Sequence, residues 1–197
     1  FELPLLNYRA IPNPDLQPER SHGYEVGLRW RGEALQLTTS AYYNDYDDFI
    51  ESRVNLGPDP QTGVIQFQSQ NIDKARIYGA EVSANVQGGK LARGLEGWTG
   101  RLAASWARGD DLARDVPLNS VDPASVIAEV GYAPVSARWG AQLVLTAVEA
   151  RHDVDDTLMD LYETDGYVTL DLLAQVDLGR GLRLNAGLFN LTDVDYI

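Results

Sequence analysis

What most constrains this chain is an alternation of apolar and polar residues with period two, recurring from Ser21 to Phe189. Successive side chains of a strand point to opposite faces, so this period predicts β-strands with one apolar and one polar side. In the first segment, Ser21 to Arg31, Tyr24, Val26, Leu28 and Trp30 share one face and Glu25, Gly27, Arg29 and Arg31 the other. The second carries Leu35, Leu37, Thr39, Ala41 and Tyr43 on its apolar face and runs on to about Val54. The third sets Tyr78, Ala80, Val82, Ala84 and Val86 against Gly79, Glu81, Ser83, Asn85 and Gln87. Five more follow: Trp98 to Trp106, Val126 to Tyr132, Trp139 to Ala147, Val168 to Asp177 and Leu182 to Phe189. The pattern predicts eight strands and no helix.

The connections alternate too. Short links at Arg31-Gly32-Glu33, Ala133 to Ser136 and Gly179-Arg180-Gly181, with an intermediate glycine-rich one from Gly88 to Gly97, share one edge. Longer, acidic ones, Asn55 to Gly63, Gly109 to Pro123 and Ala150 to Asp165, share the other. Short turns at one end and long loops at the other fit an antiparallel up-and-down transmembrane barrel. So do the aromatics near strand ends, with Trp30, Trp98, Tyr132 and Trp139 at the short-turn edge and Tyr43, Trp106 and Tyr167 toward the long-loop edge. A soluble antiparallel sandwich is the alternative, in which the apolar face would pack against a second sheet. No apolar run approaches the ~18 residues of a membrane helix, while barrel strands keep a mean hydropathy near that of soluble proteins, here −0.26.

Charge excludes one large class of partner. Sixteen Lys and Arg against 29 Asp and Glu give a net charge of −13, and the arginines are scattered singly, so no basic stripe exists to follow nucleic-acid phosphates. Without cysteine there is no thiol nucleophile, disulfide or Cys-ligated zinc site.

Five motifs then occur in order. They are Asn13-Pro14-Asp15-Leu16-Gln17-Pro18-Glu19 with Tyr24-Glu25-Val26-Gly27, Tyr42 to Ile50, Gln70 to Glu81, Pro117 to Pro123, and Asn185 to Asp193. The series resembles the C-terminal barrel strands of TonB-dependent outer-membrane receptors, especially those for haem and haemoglobin. Such barrels have roughly 22 strands and a plugged lumen, and the Asn-Pro box is similar to the one ahead of the fourteenth strand. The resemblance therefore implies that residues 1–197 are a barrel segment of about eight strands, an incomplete barrel without plug, N-terminal strands or last strand. It implies an outer-membrane location in a Gram-negative bacterium and partnership with the TonB energising complex through the N-terminal part. Outer-membrane lipid and lipopolysaccharide are the expected surroundings. Haem, a haem protein or a ferric chelate is the expected transported ligand, with no permanently bound cofactor. A ferric-siderophore receptor of the same class and a passive porin-like barrel are the alternatives.

The expected sites follow from that chemistry. Iron in haem takes an axial His or Tyr, and related haem receptors present a histidine in the loop that ends at the Asn-Pro box. Residues 1–11 contain Tyr8 and no histidine. The candidate ligand contacts are therefore Tyr8 and His152, the latter in the Arg151-His152-Asp153 loop. Asn13, Pro14, Asp15 and Leu16 are expected to mark a long loop's junction with its strand. His22 reads as an exposed strand-end residue. Asp153, Asp155, Asp156, Asp160, Glu163 and Asp165 form an acidic loop without EF-hand spacing, so no metal site is expected. Neither histidine sits in a nucleophile motif, and scattered strand carboxylates are explained as lumen-facing charges. No catalytic residue is expected.

Overall fold

A computed structural model of the chain describes residues 2–3, 8–155 and 163–196. Eleven strands build one sheet. Three are short: β1 (Glu2–Leu3), β2 (Tyr8–Ala10) and β7 (Val116–Pro117). Eight are the alternating segments, β3 (Arg20–Arg31), β4 (Leu35–Pro58), β5 (Ile65–Gln87), β6 (Trp98–Asp111), β8 (Ser125–Tyr132), β9 (Trp139–Val148), β10 (Tyr167–Gly179) and β11 (Leu182–Leu188). These eight pair consecutively and antiparallel.

Register puts the apolar positions of all eight strands on one face. Reading across the sheet, Leu28 lies opposite Thr39, Thr39 opposite Val82, Val82 opposite Ala104 and Ala104 opposite Val126. The row continues through Ala147 to Val168. The face is bare: Val26 is 71% exposed and Leu184 58%. No second layer covers it among the described residues, which removes the sandwich. An apolar face of eight strands left open by the protein is one that lipid covers. Trp30, Trp98 and Trp139 lie on it near the short-turn edge as expected, and Tyr132 bridges two of them, 4.8 Å from Trp98 and 5.9 Å from Trp139 between ring centroids. From Leu35 to Tyr43 the apolar run of β4 has the ~9–11-residue length of a tilted membrane strand.

Four expectations need correction. The second and third strands do not end near Val54 and begin at Tyr78; they run 24 and 23 residues and leave a tight connection over 59–64. Beyond the membrane rows apolar and polar residues mix on both faces and two bulges interrupt the register, at Glu51/Val54 and Asn55/Gly57, so the period-two signal fades while the pairing persists. One helical turn, α1 (Gly88–Leu91), sits in the glycine-rich link; four residues are too few for a 3.6-residue period to register. Tyr167 does not join the outer aromatic row: it pairs with Val148 on the polar face and stacks on Tyr196 at 4.6 Å. Finally, β1, β2 and β7 were not anticipated, because two- and three-residue strands carry no periodicity.

Among the described residues β3 pairs only with β4 and β11 only with β10. The sheet is not closed and both flanks are unpaired. At the short-turn edge β10 and β11 reverse through Gly179, Arg180 and Gly181, all with positive φ (80°, 55° and 80°), a conformation that glycine adopts without strain.

Candidate functional site

The chain's chemistry collects at the long-loop edge, above the apolar rows. Their upper limit is drawn across four strands in register. Tyr24, Tyr43, Tyr78 and Arg108 form one row; His22, Asp45, Arg76 and Asp110 form the next; Arg20, Asp47 and Lys74 form the third. Tyr43 and Tyr78 stand 6.3 Å apart and Tyr78 meets Trp106 edge-on at 5.7 Å. Arg76 donates from Nε to Asp45 Oδ1 at 2.9 Å and lies 5.1 Å from the Tyr43 ring centre. Arg108 reaches Asp110 at 3.2 Å and Asp153 at 3.1 Å.

Above these rows β4 and β5 continue as a two-stranded arm, and the incoming N-terminal segment is tied to it. β2 pairs parallel with β5, Tyr8 opposite Ile65, and the Tyr8 ring packs on Phe67 at 4.8 Å. Asn13 Oδ1 accepts from the Asp15 N–H at 3.1 Å while its Nδ2 donates to Ser69 O at 2.9 Å. Asn71 exchanges two hydrogen bonds with the Gln17 backbone and donates a third to Asp48 O. The Glu19 carboxylate accepts from the Ile50 N–H at 3.0 Å. At the tip Asp59 accepts the N–H groups of Gln61 and Thr62, and these hold its carboxyl below the ordinary range. The Asn13 to Leu16 box is thus a turn that seats the loop on the arm.

The second half of the edge is a small folded cap. Ile72, Ala75 and Leu118 are buried, with Tyr46, Phe49, Ile77 and Val121 packed around them. Leu118 and Val121 fold over Gly109, where a Cβ would come within 2.6 Å of Val121 and 3.0 Å of Leu118; only glycine permits that approach. Beneath lies Asp111, 1% exposed. Its Oδ1 accepts the N–H groups of Ala113 and Arg114, and its Oδ2 takes Arg114 Nε at 2.7 Å. Arg114 Nη1 reaches Asp155 Oδ2 at 2.7 Å. Asn119 and Asp155 exchange two bonds of 2.9 Å, and Arg151 donates to Asn119 O and Val121 O. Ser120 Oγ donates to Glu51 at 3.0 Å. Burial raises the Glu51 carboxyl above its ordinary value, against the Ser120 bond and the charge of Arg114.

The expected ligand contacts are not brought together. Tyr8 is half-buried against Phe67 on the arm. His152 lies in the connection after β9, with its side chain 65% exposed and its Nδ1 2.9 Å from Glu163 Oε2. His22 is an exposed residue of β3. Of the acidic loop, Asp153 and Asp155 are engaged by Arg108 and Arg114, and Asp156 and Asp160 lie outside the described residues. Among the described residues no three acidic or histidine side chains converge as a metal site would require. Sequence reasoning missed the Asp111, Arg114, Asn119 and Asp155 network; its one legible trace is the turn-forming Asp111 ahead of Arg114.

Known proteins of like sequence and shape follow from this geometry. The family described as TonB dependent receptor-like, beta-barrel, matches residues 2–191. A hemoglobin and hemoglobin-haptoglobin-binding protein of Haemophilus ducreyi is 27% identical over 222 aligned positions, covering 96% of this chain and 23% of that protein. A hemoglobin-haptoglobin-binding protein A of Haemophilus influenzae is 28% identical and covers 97% of this chain and 20% of its own length. The chain therefore spans about a fifth of these relatives. Among solved structures, the copper transporter OprC superposes with a TM-score of 0.77 at 24% identity, over 93% of this chain and 27% of that one. The siderophore receptor PirA of Acinetobacter baumannii gives 0.66 at 18% identity, over 92% and 29%. These two likenesses are of fold.

Proposed function

This chain belongs to the TonB-dependent receptor β-barrel family, and we propose on that footing that residues 1–197 form the C-terminal wall and loops of an outer-membrane receptor that imports haem. It is not an enzyme: its family and relatives are receptors and transporters. The observation that carries the haem reading is the kinship along nearly the whole chain with hemoglobin- and hemoglobin-haptoglobin-binding proteins. In this reading the long-loop edge faces outward, a haem protein docks on the arm and the cap, and the apolar face meets membrane lipid. The TonB complex supplies the energy through the receptor's N-terminal part, and ferric siderophore is the alternative cargo of the same class.

His152 is the better of the two ligand candidates. Its Nδ1 is held by Glu163, which fixes the ring and leaves Nε2 for iron, the arrangement in which a carboxylate orients a ligating imidazole. Tyr8 is the weaker, since its ring is committed to Phe67. The Asn13-Pro14-Asp15-Leu16 turn acts by seating the loop that carries Tyr8.

Haem titration of the intact receptor tests this, with the Soret band as readout. His152→Ala is expected to remove the Soret shift of the bound haem and Tyr8→Phe to leave it. Equal spectra for wild type and both variants would remove these residues as ligands; absence of any haem binding, with retention of a ferric siderophore, would overturn haem as the cargo.

A further inference from the structure

The Pro117 to Pro123 motif joins two parts of the long-loop edge through a single turn. Leu118 donates its N–H to Gly109 O at 2.9 Å and its carbonyl accepts from the Val121 N–H at 3.3 Å, so Asn119 and Ser120 are the central residues of a four-residue turn. Leu118 and Val121 fix that turn by packing in the cap core. Ser120 bonds to Glu51 on the arm, while Asn119 serves the connection after β9. The Asn119 carbonyl accepts from Arg151 Nη1 at 2.8 Å. Its Oδ1 accepts from the Asp155 N–H and its Nδ2 donates to Asp155 O, both at 2.9 Å. Both ends of the short stretch that carries His152 are thus fastened to one residue. We propose that Asn119 is a positioning residue for His152, holding the imidazole in place for the iron of haem before haem arrives.

The His152 ring depends on such support for a geometric reason. Arg151 and Thr164 form an isolated antiparallel bridge, in the same register as Val148 with Tyr167 at the ends of β9 and β10. They exchange backbone hydrogen bonds of 2.8 and 3.1 Å. The next pair in that register is His152 and Glu163, whose side chains then stand on the same side, and this brings Nδ1 within 2.9 Å of the Glu163 carboxylate. One bridge is too small to persist by itself in water. The cap supplies the rest. Arg151 is pinned by its guanidinium to Asn119 O and Val121 O, and Asp155 is buried and held by Asn119 and Arg114. Between these ends Asp153 is tied to Arg108 on β6. Ordering the stretch in advance matters because a site that must order its own loop on binding loses affinity for doing so. The inference rests on the reading of His152 as an iron ligand and adds the residue that holds its loop in one conformation.

The test measures ferric haem binding to the intact receptor in two ways, as affinity from quenching of tryptophan fluorescence and as the Soret band of the bound haem. Asn119→Ala is compared with wild type, and Asn119→Ala/His152→Ala with His152→Ala. With His152 present, Asn119→Ala is expected to weaken haem binding about tenfold and to diminish the Soret shift. With His152 absent, it is expected to change the affinity by less than about twofold. Arg151→Ala, which releases the other end, should repeat the pattern. Hydrogen exchange at 72–77 as slow as in wild type identifies the variants as folded. An equal loss in both backgrounds makes Asn119 a general support of the cap and overturns the proposal, and so does an unchanged affinity with His152 present. If His152→Ala alone leaves affinity and Soret band as in wild type, the reading of His152 as a ligand fails and the proposal falls with it.

Discussion

The membrane wall and the cap are built from the same strands on opposite principles. In the wall the apolar side chains of β3 to β11 stay exposed to the protein's surroundings, and lipid supplies what a core supplies elsewhere. In the cap, Ile72, Ala75, Leu118, Asp111 and Asp155 are buried by the protein itself, and a half-exposed arginine bridges two carboxylates. Stability in the wall is therefore set by which face a residue takes and how deep it lies. In the cap it is set by whether particular partners are present. A removed cap carboxylate leaves Arg114 without one of its two counter-charges, whereas a polar change on the polar face of the wall removes no such partner.

The sharpest break in this contrast comes from two adjacent residues of β5. Val82→Arg puts a charge on the outward face near mid-membrane and is expected to cost about 2–4 kcal/mol, while Ser83→Arg, one residue on and facing inward, costs little; urea unfolding of the receptor in phospholipid vesicles measures both. In the cap, Asp111→Ala removes three hydrogen bonds and one of the two counter-charges of Arg114. The expected cost is about 2–3 kcal/mol, below the range for fully buried pairs because the arginine is 44% exposed. It should appear as faster hydrogen exchange at 112–119 with the wall unchanged. Asn13→Ala loses one bond across to Ser69 and one within its turn, about 1–2 kcal/mol, read as exchange at 13–17 and 68–71. Smallest is the proton effect at Glu51. Its carboxyl titrates higher in the folded cap than unfolded, so its contribution is present at low pH and is lost as pH rises through the folded value. Glu51→Gln should make cap protection less dependent on pH as pH rises above the ordinary carboxylate range, and no change on substitution would break this assignment.

The same contrast explains how far the sequence could be read. The wall was legible because its rule is local: Tyr78, Ala80, Val82, Ala84 and Val86 declare one face of β5 without reference to any other strand, and the register then aligns with them. The cap was not, because its rule is distant. Arg114 meets Asp155 across 41 residues and Asn13 meets Ser69 across 56, and nothing near either partner announces the other. The arm lies between these cases. Its pairing extends the wall, but with apolar and polar residues mixed on both faces and two bulges it carries no period to follow. The strand-start box lies between β2 and β3, and its hydrogen bond to β5 needed coordinates.

The in-register rows carry a consequence for how such chains change length over generations. One residue inserted between Val82 and Ala84 would turn Ala80, Tyr78 and Arg76 from the outer face to the inner one, placing a guanidinium in the lumen and glycine against lipid. Strands of the wall can therefore gain or lose residues only in pairs, and at the cost of their depth. Connections over 59–64, 112–124 and 149–166 are under no such parity rule. A relative aligned over 222 positions against the 197 of this chain should hold its additional residues there, so the strands of the wall keep their length while the long connections diversify.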